Sequence, residues 1–382
     1  NTFDINSTHS TQTTLYAAAG TDTVNVNDAS GRLTINAEQG DDVINVRATR
    51  PASTVVINGH EGVDTINVSD LSPSKPASLT ETVGSIDAID GKVEINGGAD
   101  TDTINVDNSA DSNDRAGSLS ATTLRGLGLP AGVDYTGAED LNLWLGTGAD
   151  VLFIDSTHTG TTQIHGGDGN ATTNERDDTI AINSIAGVTT IHGMAGNDFV
   201  EVGVDAPVRP QNSEFESPDP ITGFFVRTHE NGLAATLNLH GEGGSDHYTL
   251  NFAGTGTAVV NVHDNGAPND GVDTLVINGA DEVRGVANQP DDTFLLRRDV
   301  VVLLNESVAG RGFDRAERAN YDENINARLV VNGFGGDDKI VADDNSSITT
   351  LDGGDGEDTF QIGQVFGTPR DEAAGLAQNE RF

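Results

Sequence analysis

The 382-residue chain contains no cysteine, one methionine, one tryptophan, and only 20 basic side chains against 60 acidic ones. Each shortage excludes something. Without cysteine there is no disulfide framework and no thiol nucleophile. A formal charge of -40 repels nucleic acid and anionic lipid, so neither is an expected partner. The same self-repulsion works against a compact state unless cations or salt neutralise it. The longest aliphatic run, Val300 to Leu304, falls far short of the roughly 20 residues of a spanning helix, so no membrane insertion is expected. HExxH, GxSxG and Walker sequences are missing, which removes the commonest catalytic signatures. The first residue is Asn1 with no basic-then-apolar leader after it, so the chain reads as part of a longer one. Helix formers do not gather in periodic runs. The 35% apolar content is instead placed with strand periodicity, which argues against disorder and for an all-β chain.

What the sequence has in abundance is glycine, 46 residues, set in a recurring phrase. It runs apolar, Asn/His/Asp, Gly, two variable residues, Gly, variable, Asp, Thr-like, apolar, variable, apolar. It is legible at Ile57 to Val68, Ile191 to Val202, Val331 to Ala342 and Leu351 to Ile362. Its Asp falls at Asp22, Asp42, Asp64, Asp102, Asp150, Asp178, Asp198, Asp246, Asp273, Asp292, Asp338 and Asp358. Asp22 to Asp42, Asp178 to Asp198 and Asp338 to Asp358 are 20 residues apart. Turn chemistry alternating with short strands at a near-fixed interval predicts a right-handed parallel β-solenoid (β-helix or β-roll) with coils of about 20 residues.

Each coil is expected to hold two strands. One follows the Asp, as at Ile104 and Val106, and one precedes the Gly turn, as at Val93 and Ile95; in both, alternate residues face a narrow aliphatic core. Residues 1–382 read as one continuous solenoid with loop excursions near 69–90, 107–137, 207–232 and 297–327. The first three look like surface loops from their Pro, Ser or charge content, and the fourth has room for one more strand.

The Gly turn has the composition of a cation site. Glycines permit positive φ, so carbonyls of successive turns can face one point, and the Asp adds a carboxylate. The plainer alternative is that each carboxylate accepts N–H groups from its own turn. The segment Gly353-Gly354-Asp355-Gly356-Glu357-Asp358-Thr359-Phe360-Gln361 resembles the hemolysin-type (RTX-like) calcium-binding repeats of secreted bacterial proteins. That resemblance implies a β-roll with Ca²⁺ between neighbouring turns. The candidate ligands are Asp338, Asp358, Asp337 and Asp355, then Asp178 and Asp198, then Asp42 and Asp64. The pattern departs from a true β-roll, because only one turn per coil carries the phrase and Ala17 and Ala37 replace the first glycine in two early turns. Gly117 to Gly128, Tyr135 to Leu143, Asp292 to Arg297 and Gln361 to Gly367 resemble units of very large bacterial surface or secreted repeat proteins. This implies an extracellular, non-enzymatic stalk or adhesin-like segment, with surface polysaccharide or another cell-surface protein as a further partner.

A second column precedes the Gly turn: Asn36, Asn58, Asn96, His165, His192, His240, His263, Asn332 and Asp352. Stacked polar groups can hydrogen-bond from coil to coil; His165 with His192, or His240 with His263, could instead bind a transition metal. Thr-x-Asn pairs such as Thr65 and Asn67 read as solvent-facing strand positions, with an ordered-water, ice-binding row as the weaker reading. Trp144 is expected to point outward beneath the 107–137 excursion. The alternative function is a carbohydrate-active β-helix, a polysaccharide lyase or hydrolase, using Arg297, Arg298, Arg311, Arg315, Arg318 and Tyr321. Against it stands the abundance of acidic partners within the same excursion.

Overall fold

The computed structural model of the chain describes residues 1–75, 83–168, 178–205, 226–227, 232–267, 271–280, 290–306 and 313–363. Every regular element among them is a strand, and the strands form a parallel β-solenoid, with fifteen in a first sheet and fourteen in a second. Contacts gather the chain into two compact units. Unit 1 is built mainly from Asn1–Ile180 with Ile185–Gly196, and unit 2 from Ala181–Ser184, Asn197–Pro210 and Gly223–Phe382.

In unit 1 the coil is plain in the register. Thr2, Thr23, Val43, Thr65, Thr103, Asp140 and Thr161 lie one above another in the first sheet, all in parallel pairs. In the second sheet, Gln12–Tyr16, Arg32–Gln39, Thr54–Glu61 and Lys92–Ala99 stack in the same way. Period-two alternation decides which residues enter the core. Ile44, Ile66 and Ile104 from the first sheet, and Leu33, Ile35, Val55 and Ile57 from the second, have no exposed surface. Burying each such side chain contributes about 1.5–3 kcal/mol, and the β-branched majority suits a pleated surface.

Two of the four excursions are strand insertions. The 107–137 segment, expected as a surface loop, holds three strands, Ala116–Leu119, Thr123–Gly126 and Leu129–Thr136. They enter the second sheet as an antiparallel meander, with Leu129–Thr136 parallel to Lys92–Ala99 and Ala116–Leu119 parallel to Val151–Ile154. Its turn, Gly126-Leu127-Gly128, is at positive φ throughout, which a composition reading took for a loop. In unit 2, Thr293–Arg297, Val300–Glu306 and Phe313–Tyr321 form a second antiparallel meander inside the first sheet. That is more than the single extra strand expected. The 69–90 excursion shows no strand among its described residues, although Ile86 and Ile89 are fully buried. Most of 207–232 lies outside the described residues.

Candidate functional site

Each Gly turn is shaped by two residues of positive φ. In Asn36-Ala37-Glu38-Gln39-Gly40-Asp41-Asp42, Glu38 has φ 80° and Gly40 φ 123°; in Asn332 to Asp338, Phe334 has φ 71° and Gly336 φ 118°. The first of these positions takes either kind of residue: Ala18, His60, Met194 and Glu242 occupy it in some turns, and Gly98, Gly167 and Gly354 in others. The second is glycine in these two turns, where a Cβ on Gly40 would strike the Gly20 backbone and one on Gly336 the Pro290 carbonyl, but in the turn before Asp102 it is Asp100 at φ 79°. The glycine at the start of the phrase has a different cause. A Cβ on Gly59 would collide with the Gly97 carbonyl of the next coil and with Asp64 Oδ2, and a Cβ on Gly333 with Asp338 Oδ2. The phrase therefore reads Gly-x-x-Gly-x-Asp because the carboxylate folds back under the first glycine.

The column Asp residues are buried: Asp22, Asp42, Asp64, Asp102, Asp150 and Asp338 are each no more than 1% exposed. They form a ladder in which each backbone N–H donates to the carboxylate one coil on. Asp22 N–H donates to Asp42 Oδ1 at 2.6 Å, Asp42 to Asp64 at 2.9 Å and Asp64 to Asp102 at 2.8 Å; the Asp102 N–H then meets Glu139 Oε2 at 2.8 Å. The same bond joins Arg115 to Asp150 (2.7 Å) and Asp150 to Asp178 (2.7 Å). Unit 2 repeats it from Asp198 to Asp246, Asp246 to Asp273, Asp292 to Asp338 and Asp338 to Asp358, at 2.8 to 3.0 Å. The sequence left two roles open, cation ligand or acceptor within its own turn; Oδ1 serves the adjacent coil, while Asp150 Oδ2 also accepts the Gly146 N–H of its own turn. A second ladder on the preceding residue runs the opposite way, with Val63 N–H on Asp41, Asp337 N–H on Asp291 and Glu357 N–H on Asp337.

The column is not one line. Asp22 to Asp102 precede strands of the first sheet, Asp150 to Asp273 precede strands of the second, and Asp292 to Asp358 precede the first again. The first change follows the meander at 116–136. The second falls at Thr274–Asn278, which has a column Asp before it and another Gly turn after it, and the meander at 293–321 then follows. Among the predicted ligands, Asp42 and Asp64 are ladder neighbours in unit 1, and Asp338 and Asp358 are neighbours in unit 2, with exposed Asp337 and Asp355 on the same turns. Asp178 belongs to unit 1 and Asp198 to unit 2, each within its own unit's ladder.

Asp150 Oδ2 accepts the Gly146 N–H at 3.0 Å and Asp292 Oδ2 the Ala280 N–H at 2.7 Å, but several other column carboxylates use only one oxygen. Oδ2 of Asp22, Asp42, Asp64, Asp102 and Asp338 is buried with no hydrogen-bond partner. At Asp42, Asp64, Asp102, Asp150 and Asp338 burial is the leading cause of a raised pKa, opposed by the donated N–H and reinforced by neighbouring carboxylates. It pushes the Asp64 and Asp150 carboxyls up to about 7 and Asp338 up to about 6, and raises Asp42 and Asp102 as well. A half-satisfied buried carboxylate calls for a proton or a cation.

The remaining candidate columns have structural roles. Asn58 donates to Asn36 at 2.9 Å, and Asn278 to Asn251 and Asn332 to Asn278 at 2.8 and 2.9 Å. His165 and His192 stack at 4.9 Å with 9° between planes, and Trp144 lies on His165 at 5.2 Å. Ring nitrogens donate in the ring plane, so parallel stacked imidazoles do not aim at a shared ion. Among the described residues no three His, Asp or Glu side chains form a metal-holding group. Trp144 is 8% exposed, with the Lys75 ammonium 6.0 Å from its ring centre, so the 69–90 excursion helps cover it.

The Thr-x-Asn rows are the residues that sequence reasoning misplaced. Their asparagines form a ladder, Asp4–Asn25–Asn45–Asn67–Asn105–Asn142, with each Nδ2 donating to the previous side chain at 2.8 to 2.9 Å. Asn45, Asn67 and Asn105 are no more than 5% exposed. Arg47, which bonds Ser72 O, Asn27 and Asn25, ties the 69–90 excursion to this face. The signal was present in the Asn at every coil, but face alternation alone assigned it to solvent.

Around the proposed lyase region, Arg297 pairs with Asp343 at 3.1 Å, Arg315 with Asp314 at 3.5 Å, and Arg315 also donates to Thr255 O. Tyr321 is 2% exposed. Glu317, buried at 1%, accepts the N–H groups of Ala253 and Gly254. Arg311 lies outside the described residues. No family profile matches the chain, and no curated protein matches it.

Proposed function

We propose that the chain is a non-enzymatic structural or adhesive segment of an extracellular surface protein, a solenoid whose buried carboxylate ladders are neutralised by Ca²⁺. The observation that carries this reading is the repeated orphan Oδ2 of Asp42, Asp64 and Asp338, a hard oxygen presented at the same place in these coils. A hard cation takes six to eight oxygens at about 2.3–2.6 Å. The residues fit in chemistry: Asp42 and Asp64, Asp338 and Asp358, with Asp337 and Asp355 at the rim, would supply the carboxylates. Asp178 and Asp198 would do so within their own units. Turn carbonyls and water would complete each shell, since no three acidic side chains converge among the described residues. When bound, the ion supplies charge neutralisation and no chemistry. Outside the cell, where Ca²⁺ is abundant, a site at 100-fold over its dissociation constant adds about 2.7 kcal/mol.

Among the described residues, the pairing of Arg297 and Arg315 and the burial of Tyr321 do not favour the carbohydrate-active alternative. The test has two arms. Calcium should raise the melting temperature and a chelator lower it, with Asp358→Ala blunting the response. Incubation with polyuronates and neutral polysaccharides should release no unsaturated or reducing product. Product release, or a melting temperature indifferent to calcium, overturns the reading.

A further inference from the structure

An Asn followed by Gly is the pair in which the next backbone nitrogen most freely reaches the side-chain amide carbon, because no Cβ hinders the approach. Five such pairs lie among the described residues: Asn58-Gly59, Asn96-Gly97, Asn265-Gly266, Asn278-Gly279 and Asn332-Gly333. A sixth, Asn231-Gly232, begins outside them. Four of the five belong to Gly turns, and the stacked coils restrain them. Asn58 and Asn96 lie within strands, and Asn278 and Asn332 end them. Nδ2 of Asn58, Asn278 and Asn332 donates to its column neighbour at 2.8 to 2.9 Å. The N–H groups of Gly279 and Gly333 each donate to a carbonyl of the next coil at 2.8 Å. Gly59 and Gly97 are pressed so closely on the next coil that a Cβ would come within 2.0 Å of the Gly97 carbonyl oxygen and 1.9 Å of that of Gly137. A peptide nitrogen fixed in this way cannot swing onto the neighbouring Cγ.

Asn265-Gly266 has a different setting. It follows strand Val259–His263 and belongs to no regular element, and Asn265 is exposed. Asn265 Nδ2 lies 2.7 Å from His240 Nδ1, and the Gly266 N–H donates to Asp264 Oδ1 at 3.2 Å. Asp264 is itself buried, and the His240 ring is steadied by stacking on His263 at 5.8 Å. The attacking nitrogen thus meets a carboxylate and the departing nitrogen meets an imidazole, the two partners that general acid–base catalysis of an acyl transfer needs.

We infer that Asn265 is a self-modification site, at which Gly266 displaces the side-chain amide and the asparagine becomes aspartate or isoaspartate. The Gly266 nitrogen bonds to Asn265 Cγ as the Cγ–Nδ2 bond breaks. Asp264 takes the proton of the Gly266 N–H, His240 gives one to the departing nitrogen, which leaves as ammonia, and water carries the proton from Asp264 back to His240. Water then adds to one of the two carbonyls of the cyclic imide and opens it, giving aspartate by one route and isoaspartate, with an extra main-chain carbon, by the other. The product sits beside Asp264, whose carbonyl accepts Asn324 Nδ2 at 2.5 Å, so conversion loosens the tie between this loop and the segment that follows the 293–321 meander. The inference is independent of calcium and of the Gly-turn column.

Peptide mapping by mass spectrometry of the full chain, kept native in warm buffer at pH 8, tests this, with isoaspartate-specific methyltransferase labelling as a second readout. The expected result is conversion at Asn265 ahead of Asn58, Asn96, Asn278 and Asn332 by on the order of tenfold or more, with label on the peptide that holds Asn265. In urea the five pairs should convert together, since the strands no longer restrain four of them. His240→Ala should slow Asn265 by on the order of tenfold. Circular dichroism melting checks that this variant stays folded; should it unfold, His240→Gln, which keeps much of the side-chain volume and loses the acid, replaces it. A native Asn265 that stays intact while the urea sample converts overturns the inference. So does an exposed Asn96 that converts as fast as Asn265, because exposure alone would then set the rate. An undiminished rate in the folded His240 variant overturns the role given to His240.

Discussion

Replacing Asp64 by Asn separates the two things its carboxylate does. Asp64 Oδ1 accepts the Asp42 N–H at 2.9 Å, which an amide oxygen can also do. Oδ2 is buried without a hydrogen bond beneath Gly59, where a neutral amide would carry no charge. Raising an acid from 3.8 to about 7 amounts to about 4 kcal/mol of unfavourable charge burial at ~1.4 kcal/mol per tenfold change. Local relaxation and water entry lower what is measured. Without calcium at pH 8, Asp64→Asn should therefore stabilise unit 1 by about 1–3 kcal/mol. Asp64→Ala, which strands the Asp42 N–H, should be worse than Asn by about 1–3 kcal/mol. The sign with pH is fixed. The folded acid binds its proton more tightly than the unfolded one, so its penalty is absent below about pH 4 and grows as pH rises toward 7. Urea unfolding followed by the fluorescence of Trp144, the only tryptophan and two coils from Asp64 in the first sheet, reads the change locally. The reasoning is refuted if Asn destabilises as much as Ala in calcium-free buffer at pH 8, because the buried charge would then carry no penalty.

Three further outcomes follow from the turns and ladders. Gly40→Ala forces a Cβ into the Gly20 backbone at φ 123° and should cost at least about 1–3 kcal/mol; Glu38→Gly relieves a φ of 80° and should be neutral or stabilising within about 1 kcal/mol. Denaturant midpoints of the pair measure this contrast. Asn67→Ala breaks two rungs, to Asn45 and Asn105, and should cost about 1–3 kcal/mol for each buried group left unpaired; hydrogen exchange should show the loosening centred on strands Val43–Val46 and Thr103–Asp107. Ile66→Ala, at a site with no exposed surface, should cost about 2–5 kcal/mol by the same urea assay.

The coil was legible because its cause is local: a Gly at positive φ, an Asp five residues after the first Gly, and apolar residues at alternate positions recur together. Ile57, Ile66, Ile104 and Val106 could be assigned to the core from alternation alone. The meander at 116–136 was not legible, since Gly126, Gly128 and Pro130 carry the composition of a loop while their neighbours pair as strands. Its consequence, the transfer of the Asp column from one sheet to the other, depends on strand order that no spacing encodes. Asn67 was misread for the reverse reason: alternation correctly turns it away from the core, yet in its ladder between Asn45 and Asn105 it is only 5% exposed. Which atom each Asp serves was also beyond spacing, because its acceptor role is played toward the neighbouring coil.

The most direct measurement is the melting temperature of the whole chain from pH 5 to pH 8, once with chelator and once with excess Ca²⁺. Buried, half-bonded carboxylates predict a midpoint that falls as pH rises in chelator and is restored at pH 8 by calcium. A midpoint that rises with pH, or one unchanged by calcium at pH 8, contradicts the account.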